Sequence, residues 1–263
     1  SLFINYFIPI IILISTTFYL LKSNDEIKTI GFVTFILLGL LFLSFEIYLT
    51  FKYLDKNSLI EQSAKRNGYG YDKRNLLEIV NDLNNDGIES IPFFKIPLFK
   101  DIAPVSFIGN QFTIGSKESG KYYFYTTDRY GFNNSDVIWD NYEKDIVFIG
   151  DSFTRGTQPD DDNFFDLLSK DLSILNLGTG GNGPLRNLAT LREYGEKANG
   201  KKIFWLHFSG NDFKDLDHEL ESVILFQYLN DRNFKQNLVN KSKYTNKLLK
   251  NYYKDNFYNF TKK

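Results

Sequence analysis

The chain has no cysteine, no methionine and only two histidines among its 263 residues. Without cysteine there is no disulfide, no thiol nucleophile and no cysteine metal centre, and the redox compartment is left undetermined. With only two histidines, His207 and His218, and no cysteine, a metal site is not expected, and no cofactor is expected either. An excess of charge is also missing. Lys and Arg number 31 against 32 Asp and Glu, a net charge of -1, so no basic surface points to nucleic acid. No internal repeat or low-complexity linker interrupts the chain. The 43% of hydrophobic residues suffices for one sizeable domain with accessory segments.

The first 53 residues do not read as globular. Leu2 to Leu21 is apolar and uncharged, and Ile30 to Phe51 carries a single charge, Glu46, close to its end. Each run is long enough to cross a hydrocarbon layer of about 30 Å. The polar link Lys22 to Thr29 is long enough to turn the chain, so the pattern predicts a transmembrane hairpin over 1–53. The first run lacks a small-residue cleavage site, which argues against a removed signal sequence. Lys52, Lys56, Lys65 and Arg66 outnumber Lys22 and Lys28 in the link, which favours a cytoplasmic soluble domain.

Chemistry concentrates in the second half, where DIVFIGDSFTRG (145–156) places Ser152 just past an apolar run, Ile146 to Ile149. A second run, Ile174 to Leu177, leads into the glycine-dense NLGTGGNGP, Asn176 to Pro184. A third, Ile203 to Phe208, ends in Ser209, Gly210, Asn211 and Asp212. Short apolar runs alternating with helix-length polar segments predict a parallel α/β sheet, whose ligand crevice lies beyond the carboxyl ends of the strands. Gly150 allows a sharp exit from the first strand. Ser152 then stands where a helix begins, beside free backbone N–H groups. Neighbouring strands lie about 4.8 Å apart, so the Asn211 amide can reach the same spot.

These three stations resemble the SGNH (GDSL-type) hydrolase family. Its first block is matched by Gly150, Asp151 and Ser152, its second by a glycine of the NLGTGGNG loop, and its third by Gly210, Asn211 and Asp212. The resemblance covers residues 145–215 and implies a doubly wound, flavodoxin-like parallel sheet without metal or cofactor. It also implies a serine nucleophile, Ser152, and an oxyanion hole built from Gly181 and Asn211, with Gly178 and Gly180 as alternatives to Gly181. The function so implied is hydrolysis of an acyl ester on a glycan or lipid of the cell envelope, or O-acyl transfer to a polysaccharide. A non-catalytic, membrane-anchored scaffold is the reading from a different class. Envelope substrates would place the domain outside the cell, against the lysine bias, so the side stays open with a lean outward.

One family element is missing. The fourth block, Asp-x-x-His, has no match in the last forty residues. Asp215 and His218 have its spacing but follow the third block at once, and His207 reads as a packed or edge histidine. The expectation is a hydrolase domain over 143–263 that is incomplete at the C-terminus, its histidine lying beyond residue 263.

Between the membrane segment and that domain, 54–142 reads as an accessory region. Asp72 to Asn85 carries Leu76, Leu77, Ile79, Val80 and Leu83 in a helical pattern closed by Asn85 and Gly87. IPFFKIPLF reads as extended, and Gln111 to Ile114 with Tyr122 to Thr126 as a hairpin around KESGK. Thr126 to Asn134 holds side chains suited to sugars, Asp128, Arg129, Tyr130 and Phe132; the competing reading is a turn packed on the domain edge. Helices are predicted over Asn163 to Leu172 and Leu185 to Ala198, and a solvated helix after Arg232. Asp160, Asp161 and Asp162 read as a solvated helix start, and Arg155 as a contact for an anionic substrate or for those aspartates.

Overall fold

A computed structural model describes residue 19 and residues 22–53, 56–140, 143–156 and 164–261. The chain divides into two compact units, Ser1–Leu59 and Ile60–Lys263. In the first, α1 (Asp25–Tyr53) is a helix whose stretch Asp25–Lys52 is long and apolar enough to cross a membrane. Its large side chains, Phe32 and Leu41 among them, are exposed, as an apolar helix requires when its solvent is lipid. The expected first span, Leu2 to Leu21, lies outside the described residues apart from Tyr19. The expected link is shorter than predicted: Asn24 accepts the Ile27 N–H at 3.0 Å, and the helix starts at Asp25, because an Asn side chain satisfies an otherwise orphaned N–H.

Helix α2 (Lys56–Arg66) runs across residues 59 and 60, where the units divide, and α3 (Leu76–Asn85) lies in the second unit. The apolar spacing predicted a helix from Asp72 to Asn85; it starts later, at Leu76, because of a reciprocal cap in which Asn75 accepts from Glu78 N–H while Glu78 accepts from Asn75 N–H. Three short strands follow, β1 (Ser90–Pro92), β2 (Phe112–Ile114) and β3 (Phe124–Thr126). The expected hairpin is present, with Phe112 opposite Thr126. β1 adds a parallel partner to β2 that its proline-rich sequence did not announce.

The second sheet carries the chemistry-bearing segments. It comprises β4 (Lys144–Gly150), β5 (Ile174–Asn176) and β6 (Gly200–Leu206), all parallel, in the order β5-β4-β6. The helical turn α4 (Ser152–Arg155) follows β4, and the short α5 (Phe164–Leu168) precedes β5. Between β5 and β6 runs α6 (Pro184–Ala198), with proline in its first turn, where the missing N–H costs nothing. After β6 come α7 (Asp212–Glu219), α8 (Val223–Asn230), α9 (Ser242–Asp255) and α10 (Phe257–Thr261). The fold is mixed α/β.

One core joins what the sequence divided at residue 142. Val147, Ile149, Leu175 and Leu177 from the parallel strands pack with Ala103, Val105, Phe132 and Trp139 from the preceding region and with Leu225 and Tyr228 of α8. Each buried side chain of this size contributes about 1.5–3 kcal/mol. The tail after Arg232 is helical but not simply solvated. Leu249 and Tyr253 of α9 are buried, and Phe260 stacks on Phe94 at 4.8 Å, because the aromatic residues of the tail and of IPFFKIPLF cover each other.

β6 departs from the expectation of a strand buried on both faces. Phe204 and Trp205 are 45% and 50% exposed, since β6 pairs with β4 on one side and has no strand partner on the other among the described residues. The strand also ends sooner than its apolar run: His207 and Phe208 lie past Leu206.

Candidate functional site

Parallel pairing sets the geometry. Gly150 stands opposite Leu206, so the residues that follow, Ser152 on one strand and Asn211 on the other, leave the sheet at the same end. β5 is tied in beside them: Leu177 N–H donates to Phe148 C=O at 2.8 Å and Thr179 N–H to Gly150 C=O at 3.1 Å, which draws the glycine loop over the end of β4. The three sequence-predicted stations therefore sit at neighbouring strand ends.

Ser152 is half-buried and opens α4. Asp151 caps that turn by accepting the Phe153 N–H at 2.9 Å. Its other oxygen, Oδ2, is buried without a partner. Burial pushes the Asp151 carboxyl above its ordinary value; the Phe153 N–H opposes the shift, nearby Asp212 adds to it, and the Asn211 amide opposes it. Gly150 is required by close approach, since a Cβ there would meet Leu206 C=O at 2.6 Å and Thr154 Oγ1 at 2.0 Å. Gly178 is equally constrained, a Cβ falling 2.5 Å from the Arg155 nitrogen.

Asn211 precedes α7, and its Nδ2 donates to Asp215 Oδ2 at 3.3 Å while its Oδ1 is buried and unpartnered. Gly181 has φ 78°, a left-handed conformation that favours glycine, and the Lys95 stem lies over it with Cγ 3.1 Å from where a Cβ would be. Lys95 Nζ pairs with Asp215 Oδ1 at 2.5 Å. Gly180 instead faces the Phe93 ring and the Arg155 guanidinium. Phe93 and Lys95 are the site neighbours that sequence reasoning missed. They stand far upstream in IPFFKIPLF, and only the shared core brings them to the loop.

The two histidines part company. His218 is exposed, and its predicted companion Asp215 is occupied by Lys95 and Asn211. His207 instead lies at the end of β6 with Nδ1 2.7 Å from Asp212 Oδ2, and that fully buried carboxylate also accepts the Phe208 N–H at 2.9 Å. An Asp–His couple thus exists at the serine's end of the sheet, but between residues that the Asp-x-x-His spacing did not select. Its signal was the H-x-x-x-x-D interval across a strand end.

The residues read as sugar-binding turn inward. Asp128 is buried and accepts from Tyr130 N–H, Phe132 N–H, Asn134 Nδ2 and Trp139 Nε1, all within 3.0 Å. Phe132 lies in the core, Tyr130 packs against it, and Arg129 pairs with Asp136 at 2.7 Å and Asp140 at 2.8 Å. They hold the turn together. Arg155 does not contact a carboxylate within the described residues: its guanidinium lies 3.7 Å from the Phe93 ring centroid, buried, with Nε and Nη1 unsatisfied. Asp160, Asp161 and Asp162 lie outside the described residues. Among the described residues, no group of three or more His, Asp or Glu is arranged to hold a metal ion. Compared with known proteins, the chain matches no family model, no curated protein and no solved structure.

Proposed function

We propose that this chain is a membrane-anchored serine esterase of the SGNH type, acting on an acyl ester of a cell-envelope glycan or lipid. The observation that carries the reading is the meeting of Ser152, the Gly178–Gly181 loop and Asn211 at one end of a parallel sheet ordered β5-β4-β6. That order, with the first strand central, fits the beginning of a doubly wound, flavodoxin-like sheet, a fold in which the ligand crevice opens where the strand order reverses, here between β4 and β6. Helix α1 is the anchor.

In this mechanism the Ser152 hydroxyl attacks the acyl carbonyl. The oxyanion is held by the Ser152 N–H, a loop N–H at Gly181 and the Asn211 amide, which must first leave Asp215. The tetrahedral intermediate collapses with cleavage of the ester C–O bond, and the departing alcohol takes the proton that the base received from Ser152; water then attacks the acyl-enzyme to release the acid, or a sugar hydroxyl attacks it to form a new ester if the protein is a transferase, and Ser152 regains its proton. A serine hydroxyl needs a base, and the His207–Asp212 couple favours one reading of it: Asp212 holds the Nδ1 side and leaves Nε2 to take the serine proton.

The test is p-nitrophenyl acetate hydrolysis by the full protein. Ser152→Ala is expected to abolish turnover, and Asn211→Ala to lower kcat by about 10²–10³-fold. His207→Gln tests whether the base is His207. A loss equal to that of Ser152→Ala assigns it to His207, and unchanged activity assigns it to another group. If wild-type protein, folded by circular dichroism, neither turns over nor takes a fluorophosphonate label at Ser152, the scaffold reading replaces the esterase. Product analysis with an acetyl donor and a glycan separates hydrolysis from transfer.

A further inference from the structure

Lys95 stands outside the three stations and touches two of them. Its stem covers Gly181, with Cγ 3.1 Å and both Cδ and Cε 3.4 Å from where a Cβ would be. Its ammonium pairs with Asp215 Oδ1 at 2.5 Å, and the other oxygen of that carboxylate, Oδ2, accepts the Asn211 Nδ2 at 3.3 Å. One carboxylate thus ties the lysine to the asparagine amide.

Asp215 is fixed in place and needs a cation. Its side chain is 11% exposed, and the glycine loop packs on it: a Cβ on Gly183 would lie 3.0 Å from Asp215 Cβ. A carboxylate so far withdrawn from water is costly without compensation. Arg186 lies near enough to feel its charge, but that guanidinium donates to Ile96 C=O at 2.9 Å and lies 3.9 Å from Glu219. The ion-paired cation is Lys95. Its charge-assisted contact at 2.5 Å outweighs an amide donor at 3.3 Å, so the lysine draws the carboxylate's charge away from Asn211 and leaves the amide loosely held.

We propose that Lys95 is a positioning residue that acts on Asn211 through Asp215. By engaging Asp215 it lets the Asn211 amide leave that carboxylate, and it cancels the negative charge that Asp215 would otherwise set against an oxyanion. The proposal rests on the esterase reading, in which Asn211 turns to the oxyanion. Without Lys95, Asp215 grips the amide more tightly and stands uncompensated beside a developing negative charge. Both effects oppose the transition state more than they oppose substrate binding. The lysine stem also braces the loop at Gly181, the other donor assigned to the oxyanion.

Kinetics of the full protein with p-nitrophenyl acetate, a neutral ester, test the proposal. Lys95→Met is expected to lower kcat about tenfold, less than the loss of an oxyanion donor, with KM within about twofold of wild type. Lys95→Arg is expected to keep most of the activity. Adding Asp215→Asn to Lys95→Met is expected to recover most of the loss, because the uncompensated charge goes with it; a merely structural role makes the two losses add. Should Lys95→Met not fold by circular dichroism, Lys95→Gln takes its place. Unchanged kcat, a loss carried by KM alone, or a double variant slower than Lys95→Met overturns the proposal. The Asn211 side-chain amide resonances, followed by NMR in ¹⁵N-asparagine-labelled protein and assigned with Asn211→Ala, separate this outcome from failure of the esterase reading. They are expected to shift in Lys95→Met whether or not the wild type turns over. Unmoved resonances overturn the proposal, whereas moved resonances in a protein without turnover overturn the esterase reading and uphold the coupling of Lys95 to Asn211.

Discussion

Asp128 shows how a residue's chemistry depends on which way it turns. As a sequence feature it belongs to a polar, aromatic segment fit for sugars. In the fold it accepts from two backbone N–H groups, an amide and an indole, and has no exposure left for a ligand. Asp128→Ala leaves these donors buried and unsatisfied, each at about 1–3 kcal/mol, so we expect a loss of about 3 kcal/mol or more. Chemical denaturation measures it. A loss below about 1 kcal/mol would show that water replaces the carboxylate. His207 is the converse case: an isolated aromatic-flanked histidine in the sequence, and half of an Asp–His couple once β6 ends at Leu206. Neither role can be read from composition, because both depend on a partner's direction.

At the scale of the element, α3 and α6 were legible because their signals are local. Apolar spacing fills both, Asn85 and Gly87 close one, and Pro184 starts the other. The cap of α6 was not legible. Its Gly183 and Leu185 N–H groups donate to the Glu219 carboxylate of α7 at 2.7 and 2.8 Å, an arrangement that only tertiary packing supplies. β6 presents the opposite problem, an apolar strand whose periodicity says interior and whose position says edge. Parallel pairing satisfies only those of its amides that face β4. By hydrogen exchange we therefore expect alternate amides of Gly200–Leu206 to exchange freely while those of β4 are protected. Protection of all of them would mean that the open edge is covered in solution. Such an edge also invites pairing with another strand, which charged residues usually prevent; here Lys201 and Lys202 stand only at its start.

At the scale of the molecule, charge burial sets the response to pH. Burial raises the carboxyls of Asp128, Asp151 and Glu219. Between their ordinary values and the raised ones, the folded protein binds more protons than the unfolded chain, so stability falls as pH rises through that window. Asp72 beside Arg74 and Asp136 beside Arg129 are lowered instead; their contribution is present above about 3.8 and is lost as pH falls through the folded values. Both of these pairs face solvent and are screened by salt. The melting temperature is expected to peak on the acid side of neutrality, near about pH 4–5, with added salt weakening only the more acidic limb. A steady fall of Tm from pH 7 to pH 4 would contradict this. The sequence by itself determined the apolar helix, the three apolar strand runs and the residues at their ends, because hydrophobic periodicity, caps and glycine placement are local and physical. Only the tertiary structure decided that the region before residue 142 shares the core of the sheet, that Phe93 and Lys95 reach the glycine loop, and that His207 rather than His218 meets an aspartate. Those outcomes depend on strand order and on which buried polar groups find partners, and neither is encoded in any single stretch of chain.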